Sequence, residues 1–211
     1  MSEVFAEVAG SRAAIRELGE RGLIRVTGGD RVRFLNGMVT ADVSSLGTGS
    51  ACHSLQLDRK GHILAELWVL VLDDAMLLDS APEAESALLE VLEKHLIADD
   101  VELQRVSGWD QIGIEGPDAA AAIEAEIARL PEPGRFERDA SGRIWVAGGS
   151  LGEGARVLGE RAAIEELRHV LQLPGLSGEA SEVLRIDAFR PAHAIDFGER
   201  NFPQEARFEA S

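Results

Sequence analysis

The sequence predicts an α+β fold in which antiparallel sheets carry packed helices. Two apolar segments, residues 51–57 and 62–72, flank the tetrapeptide DRKG (58–61), which has the composition of a hairpin turn with glycine available for a positive φ. A second turn leads into a third strand over residues 75–79, so the three strands form an antiparallel meander. A helix over residues 82–97 follows, because a proline favours its start and apolar residues then recur at helical spacing.

The remaining elements show the same kinds of pattern. Residues 6–18 have helical spacing and few helix breakers, and residues 21–27 alternate as a strand. A turn with two glycines then places Asp30 as the N-cap of a short helix over residues 30–38. The second half of the chain is predicted to contain strands over 111–115, 143–147 and 155–158 and helices over 116–130, 160–171 and 180–188.

The charge balance limits the classes of partner that this chain can bind. Lys plus Arg total 21 against 37 for Asp plus Glu, a formal net charge of −16. Contact with nucleic acid or an anionic membrane depends on concentrated Lys and Arg, so we expect neither as a partner. The longest apolar run, residues 67–72, is too short to span a bilayer, and the N-terminal residues lack the pattern of a signal peptide. We therefore expect a cytoplasmic protein.

Cys52 is the only cysteine, which excludes an internal disulfide and a multi-thiolate metal site within one chain. His53 follows it directly, but adjacent residues on a strand point to opposite faces. The pair is therefore interpreted as a small buried thiol beside a surface histidine. The other histidines show no metal-ligand spacing, so no metal site is predicted.

Two segments near the ends of the chain carry a family pattern. The first is RVRFLNGMVTADV (31–43), and the second is LRIDAFRP (184–191), followed by PQEA (203–206). Together they resemble the folate-binding YgfZ-like proteins, relatives of the aminomethyltransferase (T-protein) of the glycine cleavage system. In that family the segments read roughly DR-x-x-FLQG-x-x-TNDV and LRIEAGRP…PQEA. The resemblance implies a folate-binding core over residues 1–211, either single or made of two intertwined α+β subdomains (about 1–105 and 106–211).

Glu66 is the first candidate for a binding residue. A carboxylate within an apolar strand is costly to bury unless it is paired or protonated, so Glu66 is either exposed at an edge or part of a polar pocket. The resemblance adds a role. In the T-protein pattern N-x-x-GG-V-I-D-D-L, Asp58 stands at the Asn and Glu66 at the second Asp, which is implicated in polarising aminomethyl transfer to tetrahydrofolate. Ala65 replaces the first Asp. We therefore expect Glu66 and Asp58 to contact a folate.

Two arginines complete the candidate residues. The T-protein strand TGEDGYE resembles residues 151–156, where Arg156 replaces the Glu expected to bind the pterin ring. A carboxylate can accept hydrogen bonds from the pterin amino and ring N–H groups, whereas a guanidinium only donates, so we do not expect this chain to hold folate as a T-protein does. The YgfZ-like proteins vary at this position, so the resemblance to that branch is favoured. Arg185 is a candidate ligand for the glutamate tail of the folate through charge-assisted bonds. Pairing with Glu182 on the helix surface is the alternative.

The resemblance implies a tetrahydrofolate-binding protein that supports the assembly or maintenance of iron–sulfur enzymes, with folate and iron–sulfur proteins as partners. One alternative is a folate-dependent aminomethyltransferase. Another is a degenerate scaffold that keeps the fold and not the ligand, with its pocket filled by side chains such as Phe189, which replaces the usual Gly. The sequence ends at Ser211, before the expected KGCY-x-GQE motif and C-terminal barrel. A truncated chain and a short family member both remain open.

Overall fold

The chain divides into two compact units, each with its own sheet and apolar core. The computed structural model describes residues 2–127, 129–198 and 200–206. Over its described residues, the first unit combines Met1–Glu20 with Gly108–Arg190, and the second combines Arg21–Ser107 with Pro191–Ser211. Each unit contains one five-stranded sheet.

Helices and strands alternate irregularly along the chain. The helices are α1 (Ser2–Ala9), α2 (Arg31–Asn36), α3 (Pro82–His95), α4 (Ala119–Glu124), α5 (Arg161–Leu171) and α6 (Gly178–Asp187). The strands are β1 (Ala14–Gly19), β2 (Gly22–Thr27), β3 (Ala51–Leu57), β4 (Ile63–Val71), β5 (Met76–Ser80), β6 (Glu102–Val106), β7 (Trp109–Glu115), β8 (Phe136–Arg138), β9 (Ile144–Gly149) and β10 (Gly152–Glu160). A 3₁₀ turn, Val43–Ser45, precedes β3.

The second unit has the strand order β3-β4-β5-β2-β6, with every neighbouring pair antiparallel. Helix α3 covers one face of this sheet. It begins with Pro82. Proline lacks a backbone N–H, but an N–H at the first helical position would have no carbonyl partner within the helix. Two glutamates in the first turn interact favourably with the positive end of the helix dipole. Ala84, Leu88 and Leu92 recur at a spacing of four residues and are buried in the core against β2 and β4.

The first unit has the order β1-β7-β10-β9-β8, again antiparallel throughout. Its core combines Ile112 and Ile114 of β7 with Val157 of β10. Helix α5 contributes Ile164 and Leu167, three residues apart on one face, and packs on β7 and β10.

In the second unit α3 lies on one face of the sheet. In the first unit α4 and α5 lie on one face, while α1 and α6 pack on the other, where Ala14 of β1 clusters with Phe5 and Leu184.

The predicted α+β fold class is confirmed. The expected meander is present as β3, β4 and β5, and the helix that begins at Pro82 ends at His95, two residues before the predicted end. In the part of the chain that the structure describes, no helix is both long and apolar enough to cross a membrane.

The helix predicted over residues 6–18 is wrong. Helix α1 ends at Ala9, and Gly10 follows with a φ of 63°, a left-handed conformation that commonly ends helices. The chain then enters β1, where Ile15 lies opposite Ile114 of β7. Since Ile15 is buried in the core of the first unit, tertiary pairing outweighs the local helical spacing here.

Three smaller expectations also differ from the structure. Strands β6 and β8 were not predicted, and the helix predicted over residues 116–130 is shorter, ending at Glu124. Asp30 does precede α2, but its side chain does not cap that helix. Its carboxylate instead accepts the backbone N–H of Asp100 at 2.9 Å, which ties the start of α2 to the segment before β6.

Candidate functional site

One face of the second unit's sheet is apolar, and the other carries polar side chains. On β4, Ala65 and Leu67 lie in the core, so Glu66 and Trp68 point to the opposite face. Strand pairing places two further side chains on this face, because Trp68 lies opposite His53 of β3 on one side and opposite Asp79 of β5 on the other. We call the resulting set the polar face; it consists of His53, Glu66, Trp68, Asp79 and, from just before β2, Arg21.

Glu66 and His53 form a hydrogen-bonded pair on the polar face. The distance from His53 Nε2 to Glu66 Oε1 is 2.8 Å. The two residues are diagonal neighbours, because Glu66 lies opposite Leu55 and His53 lies opposite Trp68. Their side chains are 27% exposed for Glu66 and 21% exposed for His53. Glu66 is therefore held in place by a partner and still reaches solvent.

Trp68 adds a large flat ring beside this pair. The His53 and Trp68 ring centroids are 5.8 Å apart with an interplanar angle of 69°, an edge-to-face contact. The histidine thus contacts both the carboxylate and the indole, and it fixes the two relative to each other.

An ion pair lies on the other side of Trp68. Asp79 is opposite Trp68 on β5 and is buried, and Arg21 Nε donates to its Oδ1 at 2.9 Å. Burial opposes the charge of Arg21, but the attraction of Asp79 outweighs it and raises the pKa of the guanidinium, with a smaller contribution from Glu66 in the same direction. Arg21 is therefore a permanent cation within the field of Glu66.

The polar face combines groups that suit a flat heteroaromatic ligand with N–H donors. An ionised carboxylate has two oxygens with several lone pairs, so Glu66 retains acceptor capacity beyond the bond to His53. Trp68 offers an aromatic surface for a planar ring. This set can recognise and orient a ligand, and it contains no activated nucleophile: the Cys52 side chain belongs to the opposite face, and burial raises the pKa of its thiol.

Asp58 lies in the turn between β3 and β4. Its Oδ1 accepts the backbone N–H groups of Lys60 at 2.7 Å and His62 at 2.9 Å, and its Oδ2 lies 3.0 Å from His62 Nδ1. These bonds, above all the one from the His62 backbone, lower the pKa of Asp58 to about 2. Asp58 is three residues beyond Leu55, the partner of Glu66, so the backbones of Asp58 and Glu66 are separated by roughly 10 Å along the hairpin.

Arg185 belongs to the first unit, whereas Glu66 and Asp58 belong to the second. It lies on α6 and is nearly buried. Its Nε and Nη2 donate to the two oxygens of Glu182 at 2.8 and 2.6 Å, and its Nη1 donates to the carbonyl of Arg190. The pairing with Glu182 considered from the sequence is therefore present, in a bidentate form, and it is accompanied by a bond across the end of the helix.

Arg156 is also buried in the first unit. It lies on β10 opposite Gly113 of β7, on the face away from α4 and α5. Arg16 of β1 lies opposite the same glycine from the other side. A donor-only guanidinium thus occupies the position where the resemblance led us to expect a pterin-binding carboxylate.

Sequence reasoning missed His53, Trp68, Asp79 and Arg21 as members of the site. The interpretation of His53 as a surface histidine is wrong, because it is partly buried and paired with Glu66. The available signal was strand alternation, which places Trp68 on the same face as Glu66. Among the residues that the structure describes, no group of three or more His, Cys, Asp or Glu side chains could hold a metal ion.

Comparison with known proteins places these features in a family. The model of the GCVT N-terminal domain family matches residues 6–130, more than half of the chain. The tRNA-modifying protein YgfZ of Hamiltonella defensa is 31% identical over 128 residues, which cover 59% of this chain and 38% of that protein. The protein of the same name from Colwellia psychrerythraea is 23% identical over 200 residues, covering 92% of this chain and 60% of that protein.

A solved structure shows the same fold. The aminomethyltransferase T of the glycine cleavage system from Bartonella henselae superposes with a TM-score of 0.81 at 20% identity, covering 96% of this chain and 58% of that one. The predicted likeness to the T-protein fold is confirmed. The chain spans between about a fifth and three fifths of the length of the curated relatives that it matches.

Proposed function

Because the chain belongs to the GCVT N-terminal domain family and is YgfZ-like, we propose that it binds tetrahydrofolate and supports iron–sulfur enzymes without catalysing turnover of its own. The ligand site in this proposal is the polar face of the second unit. Within it, Glu66 accepts hydrogen bonds from the ligand, Trp68 contacts the flat ring and His53 orients the carboxylate.

One observation carries the proposal: Glu66 is a partly exposed carboxylate, held by His53 and placed beside an indole. A pterin presents an amino group and a ring N–H along one edge of a planar ring. A carboxylate can accept from both donors, and an aromatic side chain can cover the ring. The chemistry of these residues therefore fits a reduced folate.

Asp58 and Arg185 stay predictions as folate contacts. Asp58 already accepts three hydrogen bonds within its turn, and Arg185 already binds Glu182 and the Arg190 carbonyl. A folate that uses either residue would have to share it with these partners. Glu66 is bound to His53 alone among the described hydrogen bonds, so we rank it first.

Two residues weigh against aminomethyl transfer. Ala65 stands where the resemblance has a further carboxylate, and it is fully buried in the core, so the polar face retains a single carboxylate on β4. Arg156 cannot accept a hydrogen bond from a pterin. We expect no glycine-cleavage activity with a lipoylated carrier protein.

The tRNA-modifying role in the relatives' names would be served indirectly here. The formal charge of −16 opposes direct contact with tRNA phosphates, since such contact relies on Lys and Arg. In this proposal the chain supports an iron–sulfur enzyme that modifies tRNA. Such an enzyme should lose activity in cells whose only copy of this protein is Glu66→Ala, and unchanged activity would separate the folate site from this role.

The direct test is a calorimetric titration with 5-formyltetrahydrofolate. We expect saturable one-to-one binding, weakened about tenfold by Glu66→Ala, as befits the loss of one hydrogen bond to a charged group. Glu102→Ala is the matched control, because Glu102 lies exposed on the edge strand β6 of the same sheet and should leave the affinity unchanged.

Two results would contradict the proposal. Equal affinities of the wild type and Glu66→Ala would remove Glu66 from the site. The absence of heat, together with no thermal stabilisation at high ligand concentration, would favour the degenerate scaffold. That alternative expected Phe189 to fill the pocket, and this expectation is wrong, because Phe189 is 83% exposed.

A further inference from the structure

Helix α6 of the first unit carries exposed apolar side chains. Ile186 is 60% exposed and Val183 is about half exposed, and they lie three residues apart on one face. Phe189 follows just beyond the helix and is more exposed still. We call these three residues the α6 apolar surface. The opposite side of the helix is anchored, since Leu184 packs in a cluster with Phe5.

Phe189 has a backbone conformation that ordinarily requires glycine. Its φ is 51°. Its N–H donates to the carbonyl of Ile186 at 3.0 Å, while the N–H of Arg190 donates to the carbonyl of Arg185 at 3.0 Å. This pair of bonds is the Schellman ending of a helix, and Phe189 occupies the left-handed position where glycine is usual. A bulky side chain is strained there.

Side-chain contacts hold this strained segment in place. The guanidinium of Arg185 donates to the carbonyl of Arg190, directly after Phe189, and it is itself fixed by two bonds to Glu182. Phe189 is thus presented on a hydrogen-bonded backbone while contributing little burial to the fold. An aromatic side chain that is strained and exposed in this way fits an anchor for a partner protein.

We propose that the α6 apolar surface docks against an apolar helix face of a partner protein, bordered by Lys and Arg side chains. Charge supports this choice. Glu179 and Asp187 are exposed one turn before and one turn after Val183, so acidic groups border the helical part of the surface, while the exposed Arg190 follows Phe189. The first unit contains 19 acidic and 11 basic residues. A second copy of the chain is disfavoured as the occupant, because each copy carries a formal charge of −16.

The test uses a substitution that should improve the fold while removing the anchor. Phe189→Gly relieves the strain and should raise the melting temperature by about 2–4 °C, which separates a binding defect from a folding defect. The probe is a dye-labelled 14-residue amphipathic peptide of Leu and Lys, titrated by fluorescence anisotropy. Ile97→Ser is the matched control, because Ile97 is 90% exposed but lies in the second unit.

We expect saturable binding of the Leu/Lys peptide, weakened at least tenfold by Phe189→Gly and unchanged by Ile97→Ser. A Leu/Glu peptide of the same pattern should not bind. Equal affinities of Phe189→Gly and Ile97→Ser for the Leu/Lys peptide would overturn the proposal, because they would show that charge alone attracts the peptide. The absence of saturable binding would also overturn it. A dimer seen by analytical ultracentrifugation that Phe189→Gly abolishes would replace the partner protein with a second copy of the chain.

Discussion

On the first unit's sheet, Glu115 lies on the face opposite α4 and α5 and is fully buried, whereas on the second unit's sheet Glu66 lies on the face opposite α3 and is partly exposed. Glu115 accepts three hydrogen bonds: Oε1 accepts from the N–H and the hydroxyl of Ser150, and Oε2 accepts from the N–H of Leu151. Glu66 has His53 as its single described partner. The two carboxylates occupy similar places in similar sheets and differ in what surrounds them.

This difference separates a structural carboxylate from one available to a ligand. Glu115 closes the turn between β9 and β10, since its three donors come from Ser150 and Leu151. Its burial raises the pKa of the carboxyl group even though the hydrogen bonds act in the opposite direction. Glu66 does not close a turn, so its carboxylate oxygens can accept further hydrogen bonds from a ligand.

The largest effect should come from Glu115→Ala. The substitution leaves the partly buried N–H of Ser150 and the buried N–H of Leu151 without their acceptor, which should cost on the order of 3 kcal/mol of unfolding free energy. Glu66→Ala removes a partly exposed group and should cost less than about 1 kcal/mol. Urea denaturation of both variants checks the comparison, and equal losses would contradict it.

A smaller effect should be a pH dependence of the unfolding free energy that the wild type shows and the Glu115→Gln variant lacks. The folded pKa of Glu115 lies above its ordinary value of 4.5, so the folded state binds the proton more tightly than the unfolded state does. The stabilisation from this proton is complete below pH 4.5 and is lost as the pH rises through the folded pKa. The unfolding free energy of the wild type, measured relative to Glu115→Gln, should therefore fall with rising pH. Parallel curves for the two proteins would show that Glu115 does not titrate in the fold.

Much of the second unit could be predicted from the sequence, because its elements are local. The hairpin turn, the meander and helix α3 each depend on residues close together in the chain. The first unit depends more on distant pairing. Strand β1 pairs with β7, about a hundred residues away, and the local spacing of residues 6–18 indicated a helix instead. Such long-range pairing leaves little trace in local periodicity.

The His53–Glu66 pair could not be predicted because of one bulge. At the turn, Leu57 lies opposite Ile63, and extending that register along the hairpin would place His53 opposite Leu67, on the core side. The bulge between Gln56 and Leu57 shifts the pairing by one residue and places His53 opposite Trp68. A shift of one residue exchanges the partners of every residue on the strand, so the composition of the turn alone does not identify Trp68 and Glu66 as the neighbours of His53.

The smallest effect should come from changing Asp58. This substitution tests whether the Asp58 carboxylate is structural, like that of Glu115, or available to a ligand, like that of Glu66. Its pKa is lowered from 3.8 to about 2, above all by the hydrogen bond from the His62 N–H, so its stabilisation is present above about pH 4 and is lost as the pH falls through 2. Asp58→Asn keeps an acceptor oxygen for the turn, so if the turn is the whole role of Asp58, folate affinity in the calorimetric titration stays unchanged. Carbon NMR of the wild-type carboxyl group should show the low pKa directly. A measured pKa near 3.8 would contradict the structural role of Asp58 in the turn. A loss of affinity as large as that of Glu66→Ala would instead place Asp58 in the ligand site, as the sequence predicted.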